Sequence, residues 1–337
     1  MTVLYIAGQQ PGTGATAVSA ALAVVWRRAG KSVALVKPAF LNGDPSGTTA
    51  LFAQITGVAT DAAPVMASDG QLTSGQMDAI AKEIEALASG VDVVVVDGLP
   101  RTDADGGKVA ASAQLAQRLG AVVLGVLPYS RSDGAETAAA WREAFGDALR
   151  GVVGNRRTRY AGHDAHESLV PSLQAAGVSV IGTVPEERRL LAPSLAQVAE
   201  HLGGKFYVSP YDDVLIEHFL IGGLILEWGV NYFNRFPNQA VIVRANRPDI
   251  AMAALSCTPA CIVLTGGAEP AQYVYQRAQD EEVPLLAVNT DTIATEEALE
   301  SLQDHVNVHH PAKAERFAEV LTECLDWDAL EAAITAP

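Results

Sequence analysis

Residues 7–22 read AGQQPGTGATAVSAAL, a glycine-rich turn between a β-rich run and an alanine-rich helical stretch. From Gly8 to Thr16 the pattern is G-x-x-x-x-x-G-A-T, one residue longer than the ordinary phosphate-binding loop. Backbone amides on such a turn, and at the start of the helix after it, can point at an anion whatever the side chains are. Gly8, Gln9, Gln10, Gly12, Thr13, Gly14, Ala15 and Thr16 are therefore a candidate nucleotide-binding cradle. Gly12 and Gly14 permit the turn, and the Thr16 hydroxyl suits a magnesium ion. A lysine at position 15 would reach the β- and γ-phosphates and offset the charge that develops in phosphoryl transfer; Ala15 cannot.

Three polar residues at the ends of apolar runs belong with this loop. Lys37 ends VALVK, at the carboxyl edge of the sheet where doubly wound folds bind ligands. Asp97 ends VVVVD, the placement of a magnesium-facing carboxylate, so Thr16 and Asp97 are the candidate metal ligands. Asn155 ends GVVGN, where an amide can read an adenine edge. The ligand expected is ATP or another adenine nucleotide with Mg2+.

A second cluster lies later. Thr265-Gly266-Gly267 follows CIVL and precedes a helix, Arg247 sits on the preceding strand-to-helix loop, and Asn289 follows PLLAV. Neighbouring parallel strands would bring these loops to one edge, where the glycine amides can meet an anion or carbonyl group. Weaker signals are His309-His310, which lack a completing metal pattern, and the Arg156-Arg157-Arg159 cluster, which suits phosphate, an acidic partner or plain solvent. Asp103 and Asp105 lack the spacing of a calcium loop and belong to a loop at the active edge.

The elements that must position these residues follow from the rhythm of the chain. Strand-like runs VLYIA, SVALVKP, VDVVVVDG, AVVLGVL, GVVGN and VSVIGTVP alternate with helical stretches at 14–28, 73–89, 108–118, 134–149 and 166–176. That is a doubly wound, mostly parallel α/β sheet, with VVVVD and VVLGV covered on both faces. After Gly203-Gly204 the rhythm restarts, predicting domains at 1–204 and 205–337, the second a smaller α/β unit. Within it the apolar stretch 212–234 is expected as one long helix, with more apolar surface than its domain covers, hence part of it in a domain or subunit interface, most simply a homodimer.

The 337 residues suffice for two cores, and a formal net charge of −16 disfavours nucleic acid or an anionic membrane as a partner. Three unevenly spaced cysteines make no disulfide framework, and MTVLYIAG has no basic leader, so a cytoplasmic chain is expected.

The order GQQPGTGAT, VALVKPAF, VVVVDG, GVVGN and VIGTVPEERRLLAP resembles the dethiobiotin-synthetase-like ATPase fold over residues 1 to about 200, in the form found in the N-terminal regulatory region of long phosphate acetyltransferases. RANRPDIAMAALSCTPACIVLTGG resembles the DRTGG domain of the same proteins. The resemblance implies nucleotide binding at Gly8–Thr16, Lys37, Asp97 and Asn155. It also implies a regulatory pocket, or a domain interface, around Asn246, Arg247, Thr265, Gly266, Gly267 and Asn289. Two departures matter: the loop lysine is Ala15, with Gln10 where related ATPases carry a second lysine, and the Asp-Arg pair reads Asn246-Arg247. No acetyltransferase domain is expected within these 337 residues. The expectation is a noncatalytic sensor of a phosphorylated small molecule, acting through a phosphate acetyltransferase or another acyl-phosphate enzyme. The alternatives are an ATP-dependent carboxylate ligase or amidation enzyme of the dethiobiotin or cobyrinate type, with Lys37 or Lys31 replacing the missing lysine, and a scaffold with a vestigial pocket.

Overall fold

The computed structural model describes residues 2–41, 45–58, 64–67, 71–99, 109–129, 134–158, 160–162, 165–223, 226–302 and 305–335. Asp103, Asp105 and Arg159 lie outside them. Packing divides the chain into two compact units, Met1–Glu187 with Val308–Pro337, and Arg188–Asn307.

The first unit is built on β1 (Thr2–Gly8), β2 (Val33–Val36), β5 (Val93–Asp97), β6 (Val122–Pro128), β7 (Leu149–Arg157) and β8 (Val180–Pro185), in the order β2-β5-β1-β6-β7-β8. Every neighbouring pair is parallel. A short parallel pair, β3 (Ala39–Phe40) with β4 (Val65–Met66), stands apart. Val94, Val95 and Val96 are fully buried because parallel strands need cover on both faces. That cover comes from α1 (Ala15–Arg28), α2 (Ser46–Thr56), α3 (Ser74–Ala88), α4 (Val109–Arg118), α5 (Gly134–Phe145) and α6 (Val170–Ala175). Strand order reverses direction at β1, so the turn after β1 opens into the crevice where such sheets bind ligands.

The second unit carries β9 (Lys205–Val208), β10 (His218–Ile221), β11 (Gln239–Arg244), β12 (Cys261–Thr265) and β13 (Leu285–Ala287), ordered β10-β11-β12-β13-β9. All pair in parallel except β9, which joins the edge antiparallel. Its helices are α7 (Leu195–His201), α8 (Leu226–Phe233), α9 (Pro248–Leu255), α10 (Gln272–Asp280) and α11 (Thr292–Leu302). Val241, Val243, Ile262 and Leu264 enter one apolar layer, while Ala240, Ile242, Cys261 and Val263 enter the other, the period-two alternation of strands buried on both faces.

Two expectations change. No helix spans 212–234: residues 218–221 form β10, Gly222 and Gly223 follow, and α8 begins only at Leu226. A short apolar run is compatible with either a buried strand or a buried helix, and pairing with β11 decides for the strand. The division also differs from residue 204. Residues 188–204 join the second unit, where Ser194 bridges Leu215 and Leu195 and Val198 enter the core beside Ile216. At the other end, α12 (Pro311–Cys324) and α13 (Trp327–Thr335) return to the first unit. There Trp26 Nε1 donates to Glu331 at 3.0 Å, Lys31 pairs with Glu331 at 2.7 Å, and Asp326 N donates to the carbonyl of Ile181 at 2.8 Å. This cover explains why α1 is apolar nearly all round.

Among the described residues no helix is long and apolar enough to cross a membrane. Cys257, Cys261 and Cys324 are all free, the first two buried.

Candidate functional site

β1 ends at Gly8 and α1 begins at Ala15, which leaves a short tight turn between them. Thr13 N donates to the carbonyl of Gln10 at 3.2 Å, and Gly12 and Gly14 adopt the left-handed region at φ +84° and +93°. The turn is held from the side by two consecutive residues of β7. Asn155 Nδ2 donates to the Thr13 carbonyl at 2.8 Å, and Arg156 Nη1 donates to the Gly12 carbonyl at 3.2 Å. In a trans peptide the N–H points opposite to the C=O, so fixing the Thr13 carbonyl turns the Gly14 amide the other way. Arg156 itself sits at φ +59°, an uncommon conformation for a residue with a side chain. Gln9 is also tied, its Nε2 donating to Thr137 Oγ1 at 2.9 Å.

Asp97 is the hub of the site. It is buried at the end of β5, where one carboxylate oxygen, Oδ2, accepts from Thr16 Oγ1 at 2.7 Å and from Lys37 Nζ at 2.6 Å. The predicted Thr16, Lys37 and Asp97 therefore meet on one atom. Behind them Tyr5 fixes the chain after β5. Its hydroxyl lies 2.8 Å from Ser112 Oγ and accepts from Leu99 N at 3.0 Å, and burial pushes the phenol up to about 12.

A hydroxyl and a carboxylate side by side form an all-oxygen donor pair of the kind Mg2+ takes, so these residues fit the ion. Ala15 is buried in the first turn of α1 and supplies no charge. Among the described residues no group of His, Cys, Asp and Glu makes a separate metal centre, His309 and His310 included.

His309 nevertheless belongs to this neighbourhood. Its Nε2 lies 2.8 Å from Thr48 Oγ1 in the first turn of α2. Burial holds its pKa below the ordinary range, Lys37 and Lys313 push the same way, and Asp97 opposes them. Lys313, buried on α12, is pushed down to about 8 by burial. The His309 contact has no local signature, because Thr48 lies on an element far away in sequence.

In the second unit the predicted cluster does gather at one edge. Arg244 pairs with Thr265, and Leu264 with Ala287, so Asn246, Arg247, Gly266, Gly267 and Asn289 all follow the carboxyl ends of adjacent parallel strands. The glycine amides are engaged within the fold: Gly266 N donates to the Thr290 carbonyl at 2.8 Å and Gly267 N to the Val288 carbonyl at 3.1 Å. Of the expected anion or carbonyl partners, these two amides thus take carbonyls of the fold itself. The Arg247 guanidinium forks onto Asp249, with contacts of 2.9 and 2.7 Å. Thr265 Oγ1 lies 3.1 Å from Thr292 Oγ1.

Comparison with known proteins gives two family matches, an AAA domain over residues 2–194 and a DRTGG domain over residues 197–302. The first is of the dethiobiotin-synthetase-like P-loop type, and the chain is homologous to the N-terminal region of phosphate acetyltransferases. It is 24% identical over 365 residues to the phosphate acetyltransferase of Deinococcus radiodurans, covering 100% of this chain and 52% of that protein. To the phosphate acetyltransferase of Pseudomonas putida it is 26% identical over 355 residues, covering 97% of this chain and 51% of that protein. The chain thus spans about half the length of the curated relatives it matches. Among solved structures, the CBS and DRTGG domains of the regulatory region of Clostridium perfringens pyrophosphatase, complexed with the activator diadenosine tetraphosphate, align at 12% identity over 37% of this chain and 53% of that one, with a TM-score of 0.32.

Proposed function

The chain belongs to the AAA-domain family, with a DRTGG domain following, and we propose that it is a noncatalytic regulatory protein whose loop binds an adenine nucleotide with Mg2+, or another phosphorylated metabolite. The observation that carries this reading is the loop: the cradle is held by Asn155 and Arg156, Thr16 and Asp97 present their oxygens together, and position 15 is an alanine. Thr16 and Asp97 would hold the magnesium ion, which when bound neutralises charge on the β- and γ-phosphates. The chain's own amides would bind and orient the phosphates, and Asn155 Oδ1 is the atom left to meet a base edge once Nδ2 is on the loop.

The partner we infer is a phosphate acetyltransferase or another enzyme of acyl-phosphate metabolism, in keeping with the curated relatives. Asn246, Arg247, Thr265, Gly266, Gly267 and Asn289 form the proposed regulatory pocket of the second unit, through side chains and carbonyls rather than the two glycine amides. Free cysteines accord with a cytoplasmic setting. A homodimer draws support from Trp228 on α8, 64% exposed, and Ile221 on the edge strand β10, 40% exposed.

Calorimetry with MgATP and a phosphate-release assay test the reading together. Saturable binding without phosphate release above background is expected, and Ala15→Lys should raise release, because it returns the cation that offsets charge in the transition state. A second reading, a ligase of the dethiobiotin type, draws on Lys37, whose ammonium already stands beside Thr16 on Asp97. Turnover by the wild-type protein that Lys37→Ala abolishes would establish that reading instead. Absence of binding to nucleotides, coenzyme A and acetyl phosphate alike would leave a scaffold.

A further inference from the structure

The arginine cluster at the end of β7 divides in the structure. Arg157 is half-buried against Gly162, where a Cβ would lie 2.7 Å from its Nη1. Arg156 is exposed and reaches the glycine turn, its Nη1 donating to the Gly12 carbonyl at 3.2 Å. A bulge gives it that reach. From Gly154 to Arg157 the strand advances three residues while its partner β8 advances two, Thr183 to Pro185, and within this bulge Arg156 sits at φ +59°. In a regular strand consecutive side chains point to opposite faces, so Asn155 and Arg156 would not serve one loop. Here they hold neighbouring carbonyls, those of Thr13 and Gly12. A left-handed backbone at a non-glycine residue persists only where its surroundings impose it, and such outliers gather at ligand sites.

The turn also contains a hydroxyl that the fold leaves unsatisfied. Thr13 is 2% exposed, and its Oγ1, packed against Gly8, has no hydrogen-bond partner among the described residues. A buried hydroxyl in that state costs free energy, so the turn is not self-sufficient in hydrogen bonds. Position 15 is alanine and the Lys37 ammonium is engaged by Asp97 at 2.6 Å, whereas the Arg156 guanidinium stands at the turn itself.

We propose that Arg156 is the ligand-facing cation of this loop: Nη1 stays on the Gly12 carbonyl, and the remaining N–H groups donate to the terminal phosphate oxygens of a polyphosphate seated in the turn. The contact stands in for the lysine absent at position 15. The proposal rests on the nucleotide-binding reading above and supplies the cation that reading lacks. A guanidinium suits both tasks, because it presents five N–H donors in one plane, and bonding a carbonyl leaves the others for phosphate.

The test is MgATP binding to the full chain by calorimetry, at about 50 mM and about 500 mM salt, for wild type, Arg156→Gln and Arg156→Lys. Glutamine keeps a donor for the Gly12 carbonyl and loses the charge; lysine keeps the charge and loses the fork. Arg156→Gln should weaken binding roughly ten- to a hundredfold at low salt, and Arg156→Lys should recover part of that loss. The deficit of the glutamine variant should shrink at high salt, where attraction between charges is screened. Both substitutions alter an exposed side chain, so denaturant midpoints should stay close to wild type. A wild-type measurement stands beside the variants: phenylglyoxal should modify Arg156 more slowly with MgATP present than without it, read by mass spectrometry of the peptide. Wild-type affinity in Arg156→Gln, equal losses in the glutamine and lysine variants, or labelling of Arg156 that bound MgATP does not slow, overturns the proposal. Failure of wild type itself to bind MgATP overturns the nucleotide-binding reading, and is seen without any variant.

Discussion

Lys37 Nζ lies 2.6 Å from Asp97 Oδ2, so an ammonium from the end of β2 neutralises a carboxylate buried at the end of β5. Removing either partner leaves the other charge in a site sealed from most solvent. Asp97→Asn should lower unfolding free energy by about 3 kcal/mol, and Lys37→Met by a similar amount. The double variant should recover part of the loss, because it leaves no unpaired charge. Denaturant midpoints check this. If Asp97→Asn alone is as stable as wild type, the pair does not hold the site together. The same variant should also remove the Mg2+ dependence of nucleotide binding.

Gly14 and Gly12 separate two reasons for glycine in the loop. Both have positive φ, at +93° and +84°. A Cβ at Gly14 would lie 2.2 Å from Asn155 Nδ2, whereas at Gly12 it would meet nothing within 4 Å. Gly12→Ala should therefore cost only the backbone strain, about 1 kcal/mol, and leave binding within a few-fold. Gly14→Ala also displaces the amide that holds the Thr13 carbonyl, so it should cost about 1 kcal/mol more and weaken MgATP binding by roughly tenfold. Equal effects of the two substitutions on affinity would show that the Asn155 clamp does not shape the loop.

The loop unit was readable because its signals are local. Apolar runs ending in Lys37, Asp97 and Asn155 predict both the strands and the edge at which those residues meet, and the structure joins Thr16, Lys37 and Asp97 on one oxygen. The stretch 212–234 reads as helix in the sequence because periodicity cannot tell a four-residue buried strand such as β10 from a turn of buried helix. Gly222-Gly223 was the available sign of a break. The return of the chain to the first unit had no such sign. Thr48 and His309 are 261 residues apart, and Trp26 and Glu331 are 305 apart, separations at which local patterns carry no pairing information. The engagement of the Gly266 and Gly267 amides was hidden for the same reason: it depends on carbonyls of the loop after β13.

Lys313 supplies a prediction in stability. Its ammonium is pushed down to about 8 in the folded protein by burial, against about 10.4 in an unfolded chain. A lysine lowered on folding gives up its proton more readily when folded, so stability contributed at this site rises with pH between those two values. Below about 8 the burial penalty is present in full. Lys313→Met removes it, and should stabilise the protein at neutral pH by up to about 3 kcal/mol, less whatever the ammonium's hydrogen bonding contributes. The gain should shrink as pH rises from about 8 and be gone above about 10.4. Chemical unfolding across that range is the measurement, and a gain that does not change with pH would show that the lysine's charge is not its source.

The last prediction concerns how occupancy of the loop is transmitted. Residues 188–307 are inserted between two stretches of the first unit, so the chain leaves that unit at Glu187 and returns at Val308. Both crossings are anchored near their ends: Arg316 Nη2 pairs with Glu187 at 3.0 Å, and His309 is held by Thr48 at 2.8 Å. A ligand that changes the setting of His309 therefore acts on one end of the inserted segment, and α11 is the last helix before that end. Coupling of a typical 1–3 kcal/mol would change ligand affinity at the second unit, or affinity for a partner, by about 5- to 150-fold. Hydrogen exchange in α11 should respond to MgATP in wild type and lose the response in His309→Ala, while Arg316→Ala, which frees the other crossing, should weaken it. The linkage is reciprocal, so a partner that binds the second unit should alter MgATP affinity by the same factor. Exchange in α11 that ignores MgATP, in a protein shown by calorimetry to bind it, would mean that the two units work independently and that any regulation by nucleotide ends at the first.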